Sequence, residues 1–260
     1  MTPETPARRG RLAARPRRGG WRDVSPGLHR LHLDAGAPAL LYVPPGIRPA
    51  TLSPVVLLLH GAGATAQHGL NLLVSQADDA GLVLVAPSSQ GATWDVLLGG
   101  YGPDVTRIDR ALQQVFDRVV IDPAHLAVGG FSDGASYGLS LGLVNGDLFS
   151  QVLAFSPGFV APGDRHGAPR LFISHGIDDR VLPIDACSRV LVPRLRRAGY
   201  TVRYREFEGG HLVPAGIAAE AAAWLRTPAS DDPKTSDKAP PPHTPPRTTL
   251  PRPRGAPPTT

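Results

Sequence analysis

His125-Leu126-Ala127-Val128-Gly129-Gly130-Phe131-Ser132-Asp133-Gly134-Ala135-Ser136-Tyr137-Gly138-Leu139 is the stretch from which the rest of the chain can be read. The apolar run Leu126 to Val128 predicts a strand, and Ala135, Leu139, Leu141 and Leu143 predict a helix that starts almost at once. Between them lies Gly130-Phe131-Ser132-Asp133-Gly134, a Gly-x-Ser-x-Gly pentapeptide. A serine on so sharp a strand-to-helix turn takes a strained backbone conformation that lifts its hydroxyl above the sheet. Side chains two residues before and after it would strike the neighbouring strand and helix, which accounts for the glycines. The helix that follows aims its first N–H groups and its positive end at the same place. The pentapeptide alone is a weak signal in Gly-rich loops; the strand, turn and helix around it make Ser132 a candidate nucleophile.

Outward from this turn the same unit recurs. Val55 to His60 and Leu82 to Ala86 are continuous apolar runs, as expected of strands buried on both faces of a parallel sheet. Gln151 to Ser156, Arg170 to His175 and Thr201 to Phe207 predict further strands, and Leu28 to Leu33 with Ala39 to Val43 an antiparallel pair. Helices are expected over Leu70 to Ala80, from Asp104 (a possible cap) to Val119, over Ile184 to Ala198 and from Pro214 to Arg226. The fold class is therefore α/β, a doubly wound, mostly parallel sheet with helices on both faces. Sites in such sheets assemble at the carboxyl ends of the strands. The link from Ser156 to Arg170 is short, so no large lid is expected.

The chain has 260 residues, 42% of them hydrophobic, enough for one sizeable core. Its net charge of +5 sits largely in the tails: Arg8, Arg9, Arg11, Arg15, Arg17, Arg18 and Arg22 at one end, Lys234, Lys238, Arg247, Arg252 and Arg254 at the other. The expected division is a basic disordered arm over 1–20, a globular domain over 21–226, and a Pro-rich disordered tail over 227–260. That placement of charge speaks against specific nucleic-acid binding. No apolar run spans a bilayer, and the Arg-Arg pairs lack the apolar segment an export signal needs. The single cysteine, Cys187, reads as a core residue and fits a reducing, cytoplasmic setting. Monomer and homodimer both stay open.

Ser132 needs a base, and there are nine histidines. His29, His32, His68 and His125 fall near the amino-terminal ends of elements or in early helical segments, His166 in a loop and His243 in the tail. His60 and His175 end strands before glycines and read as loop-shaping residues. His211 follows the last strand in Glu208-Gly209-Gly210-His211, a glycine-rich loop from which an imidazole can reach over the sheet. A carboxylate must orient that imidazole, and Asp178 and Asp179 both follow the preceding strand. The backbone N–H of Asp133 supplies one oxyanion donor; the second is expected from Ala62 or its neighbour Gly63. Trp94, Tyr101, Phe131, Phe159 and Leu182 are candidate substrate-pocket residues. The histidines lack metal-ligand spacing and no dinucleotide fingerprint follows a strand, so neither metal nor cofactor is implied.

His60-Gly61-Ala62-Gly63, Gly130-Phe131-Ser132-Asp133-Gly134, His175-Gly176-Ile177-Asp178-Asp179-Arg180-Val181-Leu182-Pro183 and Gly210-His211 together resemble the α/β-hydrolase superfamily. More narrowly, residues 38 to 226 are similar to the phospholipase/carboxylesterase group and to polyhydroxybutyrate-depolymerase-like esterases. Matched to that group's His-Gly-x-x-Asp-x-x-Val/Leu-Pro motif, the triad aspartate is Asp179. The resemblance implies hydrolysis of a small-molecule carboxylic ester through an acyl-enzyme on Ser132. An acyltransferase on the same triad and a catalytically silent binding protein are the alternatives. The chain departs from the pattern at Asp133, where many relatives carry Gln, Asn or Ala; an acid there opposes an oxyanion unless it turns away. Dienelactone hydrolases use cysteine at this turn, and Ser132 argues against that activity.

Overall fold

Along β3 (Ser53–Leu59) alternate side chains serve two separate cores. Val55, Leu57 and Leu59 pack on one face of the sheet, Val56 and Leu58 on the other, and all are buried. This double burial is what makes an apolar run without alternation a central strand. The structure, a computed structural model, describes residues 5–17, 25–33, 36–48 and 51–228. One eight-stranded sheet runs in the order β1-β2-β4-β3-β5-β6-β7-β8. The other strands are β1 (Gly27–Leu31), β2 (Ala39–Val43), β4 (Val83–Ala86), β5 (Ile121–Phe131), β6 (Gln151–Phe155), β7 (Arg170–Gly176) and β8 (Val202–Phe207). The β1/β2 and β2/β4 pairings are antiparallel; the remaining pairings are parallel. The expected fold class is the observed one.

Helices cover both faces. α3 (Pro103–Phe116), α4 (Asp133–Val144) and α5 (Ser188–Arg197) close the first core with Ile108, Leu112, Leu139, Val192 and Leu195. α1 (Ala66–Leu70), α2 (Val74–Ala80) and α6 (Ala215–Leu225) close the second with Leu70, Ala77, Ala221 and Trp224. No helix occurs between Ser156 and Arg170.

Several boundaries differ from the sequence reading. The helix expected over 70–80 is two helices, because Leu73 leaves helical geometry at φ −136° and both Leu70 and Leu73 reach the core. Asp104 lies inside α3, which starts at Pro103 after Gly102. Asp95 does the capping: its Oδ2 accepts the Asp104 N–H at 2.8 Å, while Asp104 accepts from the N–H groups of Gln90 and Asp95 at 2.8 and 2.9 Å. Residues 184–187 form turns, and α5 begins only after Cys187, which is buried as expected.

The largest correction concerns the expected disordered arm over 1–20. Its described part, residues 5–17, is a strap lying on α3 and α4. Leu12 and Ala14 are buried, and the Leu12 N–H donates to Asn145 Oδ1 at 2.9 Å. The N–H groups of Ala13 and Ala14 donate to Asp109 Oδ1, each at 2.7 Å. Arg11 and Arg15 pair with Asp147 at 2.8 and 2.9 Å. Composition counted these arginines as solvated charge; their partners lie roughly a hundred residues or more away along the chain. Among tail residues, Thr227 and Pro228 are described, and their carbonyls accept from Arg170. The rest of the predicted tail lies outside the described residues.

Candidate active site

The turn after β5 has the geometry its sequence demands. Ser132 sits at φ 57°, ψ −119°, a conformation costly for any residue with a side chain. Its N–H is held by the Phe155 carbonyl at 3.0 Å, and α4 begins at the next residue. A Cβ on Gly130 would lie 2.5 Å from the Gly134 carbonyl carbon, and one on Gly134 would meet the Leu59 carbonyl oxygen. Both glycines are therefore required by backbone packed against them.

His211 reaches this turn from the loop after β8. Its Nε2 is 2.9 Å from Ser132 Oγ and its Nδ1 is 2.6 Å from Asp179 Oδ2. Since a carboxylate only accepts, Nδ1–H donates to Asp179, which leaves Nε2 free to accept from the serine. The His211 ring lies against Phe131 with centroids 4.6 Å apart. Asp178 N–H donates to Gly209 O at 2.9 Å, which fastens the loop that carries the acid to the loop that carries the imidazole.

Of the two adjacent aspartates, Asp178 is exposed and Asp179 turns inward. Asp179 Oδ1 accepts the N–H groups of Val181 and Leu182, each at 2.9 Å. Burial works to raise the Asp179 pKa, but the His211 bond and these two N–H groups hold it below the usual carboxylate value. His175 stands behind it, donating from Nε2 to the Leu182 carbonyl at 2.8 Å and accepting from Ser188 Oγ at 2.7 Å. His60 donates from Nδ1 to Gly61 O and accepts at Nε2 from the Ser89 N–H, at 2.7 and 3.0 Å. Burial pushes both of these imidazoles down in pKa, and both hold loops rather than meeting Ser132, as the sequence suggested.

The loop after β3 lies beside the serine: a Cβ on Gly61 would be 3.5 Å from Ser132 Cβ. Gly63 N–H is committed to the Ala92 carbonyl at 2.6 Å, so of the two expected second donors Ala62 is the one whose N–H has no backbone acceptor among the described residues. The Asp133 carboxylate turns aside and accepts from Thr93 Oγ1 at 2.6 Å.

Two of the expected pocket residues are core instead. Trp94 is fully buried, donates from Nε1 to the His60 carbonyl at 2.9 Å, and stacks on Tyr137 with centroids 5.2 Å apart. Tyr101 is buried edge-on against Tyr137, under Gly10 of the strap. Their glycine-rich loop folds back onto the domain, and an indole or phenol ring gains more by that burial than by facing a cleft. Phe131, Phe159 and Leu182 are half-buried. Phe131 flanks His211, and Leu182 packs beside Gly158 in the segment that carries Phe159. Thr93 and Ser136 were missed. Ser136 Oγ donates to Ser132 O at 3.2 Å and accepts the Gly158 N–H at 2.9 Å. Nothing in the local sequence around either one marks it.

Among the described residues no group of three or more His, Cys, Asp or Glu is arranged to hold a metal ion, and no helix is long and apolar enough to cross a membrane.

No family profile matches the chain. In sequence it is similar to feruloyl esterase C of Emericella nidulans, 28% identical over 159 residues, covering 58% of this chain and 57% of that protein. The chain thus spans little more than half the length of that curated relative. In structure it is similar to esterase PE8, with a TM-score of 0.56 at 23% identity over 78% of this chain and 97% of that one. It is also similar to a phospholipase/carboxylesterase from Dyadobacter fermentans, with a TM-score of 0.52 at 20% identity over 68% of this chain and 90% of that one. At such identities the structural likenesses speak to architecture alone. The chain has the fold of the α/β-hydrolases.

Proposed function

We propose that the protein is a serine hydrolase of carboxylic esters, with Ser132 as nucleophile, His211 as base and Asp179 as its orienting carboxylate. The observation that carries this reading is the chain of two hydrogen bonds, Asp179 Oδ2 to His211 Nδ1 at 2.6 Å and His211 Nε2 to Ser132 Oγ at 2.9 Å. The similarity to a feruloyl esterase supports the same reading.

In this mechanism Ser132 Oγ attacks the acyl carbon as His211 Nε2 takes its proton, and Asp179 stabilises the imidazolium. The N–H groups of Ala62 and Asp133 receive the tetrahedral oxyanion. Collapse expels the alcohol, which takes the proton from His211. A water molecule then gives a proton to the same nitrogen and attacks the acyl carbon, and Ser132 departs with its hydroxyl restored. No metal or cofactor enters these steps. Phe131, against the His211 ring, and Leu182, beside Gly158, would with Phe159 supply the apolar wall for the acyl group, and no helix lies between Ser156 and Arg170 to cover it. Short acyl esters and esters of aromatic acids fit such a site.

The test is hydrolysis of p-nitrophenyl esters of graded chain length and of methyl ferulate, with thioester and amide controls. Ester turnover together with fluorophosphonate labelling at Ser132 is expected. Absence of both in folded protein overturns the reading and favours a silent binding protein. Product analysis with added alcohol separates hydrolysis from acyl transfer.

A further inference from the structure

The residue after the nucleophile combines two demands that conflict. Its backbone N–H must stabilise a negative charge, yet its side chain is a carboxylate. At the first position of α4 an acid is favourable for the helix, because it faces the positive end of the helix dipole. For an oxyanion forming at the same N–H it is harmful, because like charges repel strongly in a site shielded from water.

The loop over Ala92, Thr93 and Trp94 resolves the conflict. Thr93 Oγ1 donates to Asp133 Oδ2 at 2.6 Å, the length of a strong bond to a charged acceptor. The residues on either side of Thr93 anchor the loop to the other half of the site. Ala92 O accepts the Gly63 N–H at 2.6 Å, and Trp94 Nε1 donates to His60 O at 2.9 Å. Three consecutive residues thus tie the Asp133 side chain to both ends of His60 to Gly63, the segment that carries the Ala62 donor. The far side of the loop is fixed by the reciprocal Asp95 and Asp104 bonds at 2.9 and 2.8 Å, and by Tyr137 Oη donating to Asp95 Oδ1 at 3.1 Å.

We propose that Thr93 is a positioning residue for ester hydrolysis: its hydroxyl holds the Asp133 carboxylate away from the oxyanion site, so that an acid is tolerated next to the nucleophile. This rests on the hydrolase reading above and assigns a residue to it that neither motif nor resemblance marks.

The experiment compares Thr93→Val, Thr93→Ser and the double variant Thr93→Val/Asp133→Asn with the parent, reading kcat and KM on a p-nitrophenyl ester and the affinity of an alkylboronic acid. The boronic acid forms a tetrahedral anion on the serine, so its affinity reports the oxyanion site. Thr93→Val is expected to lower kcat by roughly 10- to 100-fold, short of or equal to losing one oxyanion donor, with KM little changed. Boronate affinity should fall in parallel. Thr93→Ser should keep kcat within about threefold of the parent. The double variant should recover most of the loss, since the damage comes from a charge and not from a missing contact. Thermal melting of each variant separates these effects from unfolding. A Thr93→Val kcat within about twofold of the parent overturns the proposal, as does a loss that Asp133→Asn fails to relieve. A parent protein inert to ester, fluorophosphonate and boronate overturns the hydrolase reading and this assignment with it.

Discussion

His175 Nε2 lies 3.3 Å from Asp179 Oδ2, so the carboxylate that meets His211 is backed by a second imidazole with no exposed side-chain surface. His175 spends its Nε2 proton mainly on the Leu182 carbonyl at 2.8 Å, and the Leu182 N–H returns to Asp179 Oδ1 at 2.9 Å. The turn from Asp179 to Leu182 is thereby closed from both sides. Both this imidazole and that of His60 are pushed down in pKa by burial. The unfolded chain therefore binds protons at these positions more readily than the folded one. Their contribution to stability is complete above the unfolded histidine value of about 6.5 and declines as the pH falls below it. The urea midpoint should drop between pH 7.5 and 5.5, and the drop should shrink in His175→Gln. A midpoint that is flat or rises toward pH 5.5 contradicts this. Asp95 and Asp104, raised by burial, act in the opposite sense at lower pH, which is why the comparison stops there.

The inward turn of Asp179 and the exposure of Asp178 make the adjacent aspartates unequal. Asp179→Asn should lower kcat/KM by about 10⁴-fold, as expected when an orienting carboxylate is lost from such a triad. Asp178→Asn should stay within about threefold of the parent. Steady-state kinetics on one p-nitrophenyl ester decides it, and equal losses would reassign the acid.

Ser132→Ala should abolish ester turnover and fluorophosphonate labelling while leaving the melting temperature near that of the parent. The strained φ of 57° burdens alanine no more than serine, and the hydroxyl makes no bond that holds the core. Residual turnover above the uncatalysed rate would point to another nucleophile.

Gly134→Ala should be damaging for a steric reason. The added methyl meets the backbone of Leu59 and His60, which cannot yield without moving β3. Overpacking of this kind costs about 1–3 kcal/mol. For a domain of this size that is a fall in melting temperature of roughly 2–12 °C. An unchanged melting curve by circular dichroism would mean that the turn relaxes.

Asn145 anchors the amino-terminal strap. Fully buried, it accepts the Leu12 N–H and donates to the carbonyls of Gly10 and Leu141, each within 2.7–2.9 Å. Asn145→Ala removes the partner of the Leu12 N–H and of the Gly10 carbonyl, while Leu141 O keeps the residue-145 N–H, and should cost about 1–3 kcal/mol. The strap should then detach, and trypsin should cut after Arg11 faster than in the parent, with the cleavage site read by mass spectrometry. Equal cleavage rates would mean that Leu12, Ala14, the Asp109 hydrogen bonds and the Asp147 ion pairs hold the strap without Asn145.

The amino-acid sequence by itself determined the layered sheet, the serine turn and the histidine-bearing last loop. Each of those is written in local terms: apolar runs whose length and period match an element, and glycines two residues either side of a serine. Tertiary structure alone decided the rest. It buried Trp94 and Tyr101, it folded residues 5–17 against Asp109, Asn145 and Asp147, and it set Thr93 against Asp133. These outcomes depend on pairings between residues distant in the chain. A side chain's burial and partner are properties of the assembled neighbourhood, which composition and spacing do not encode.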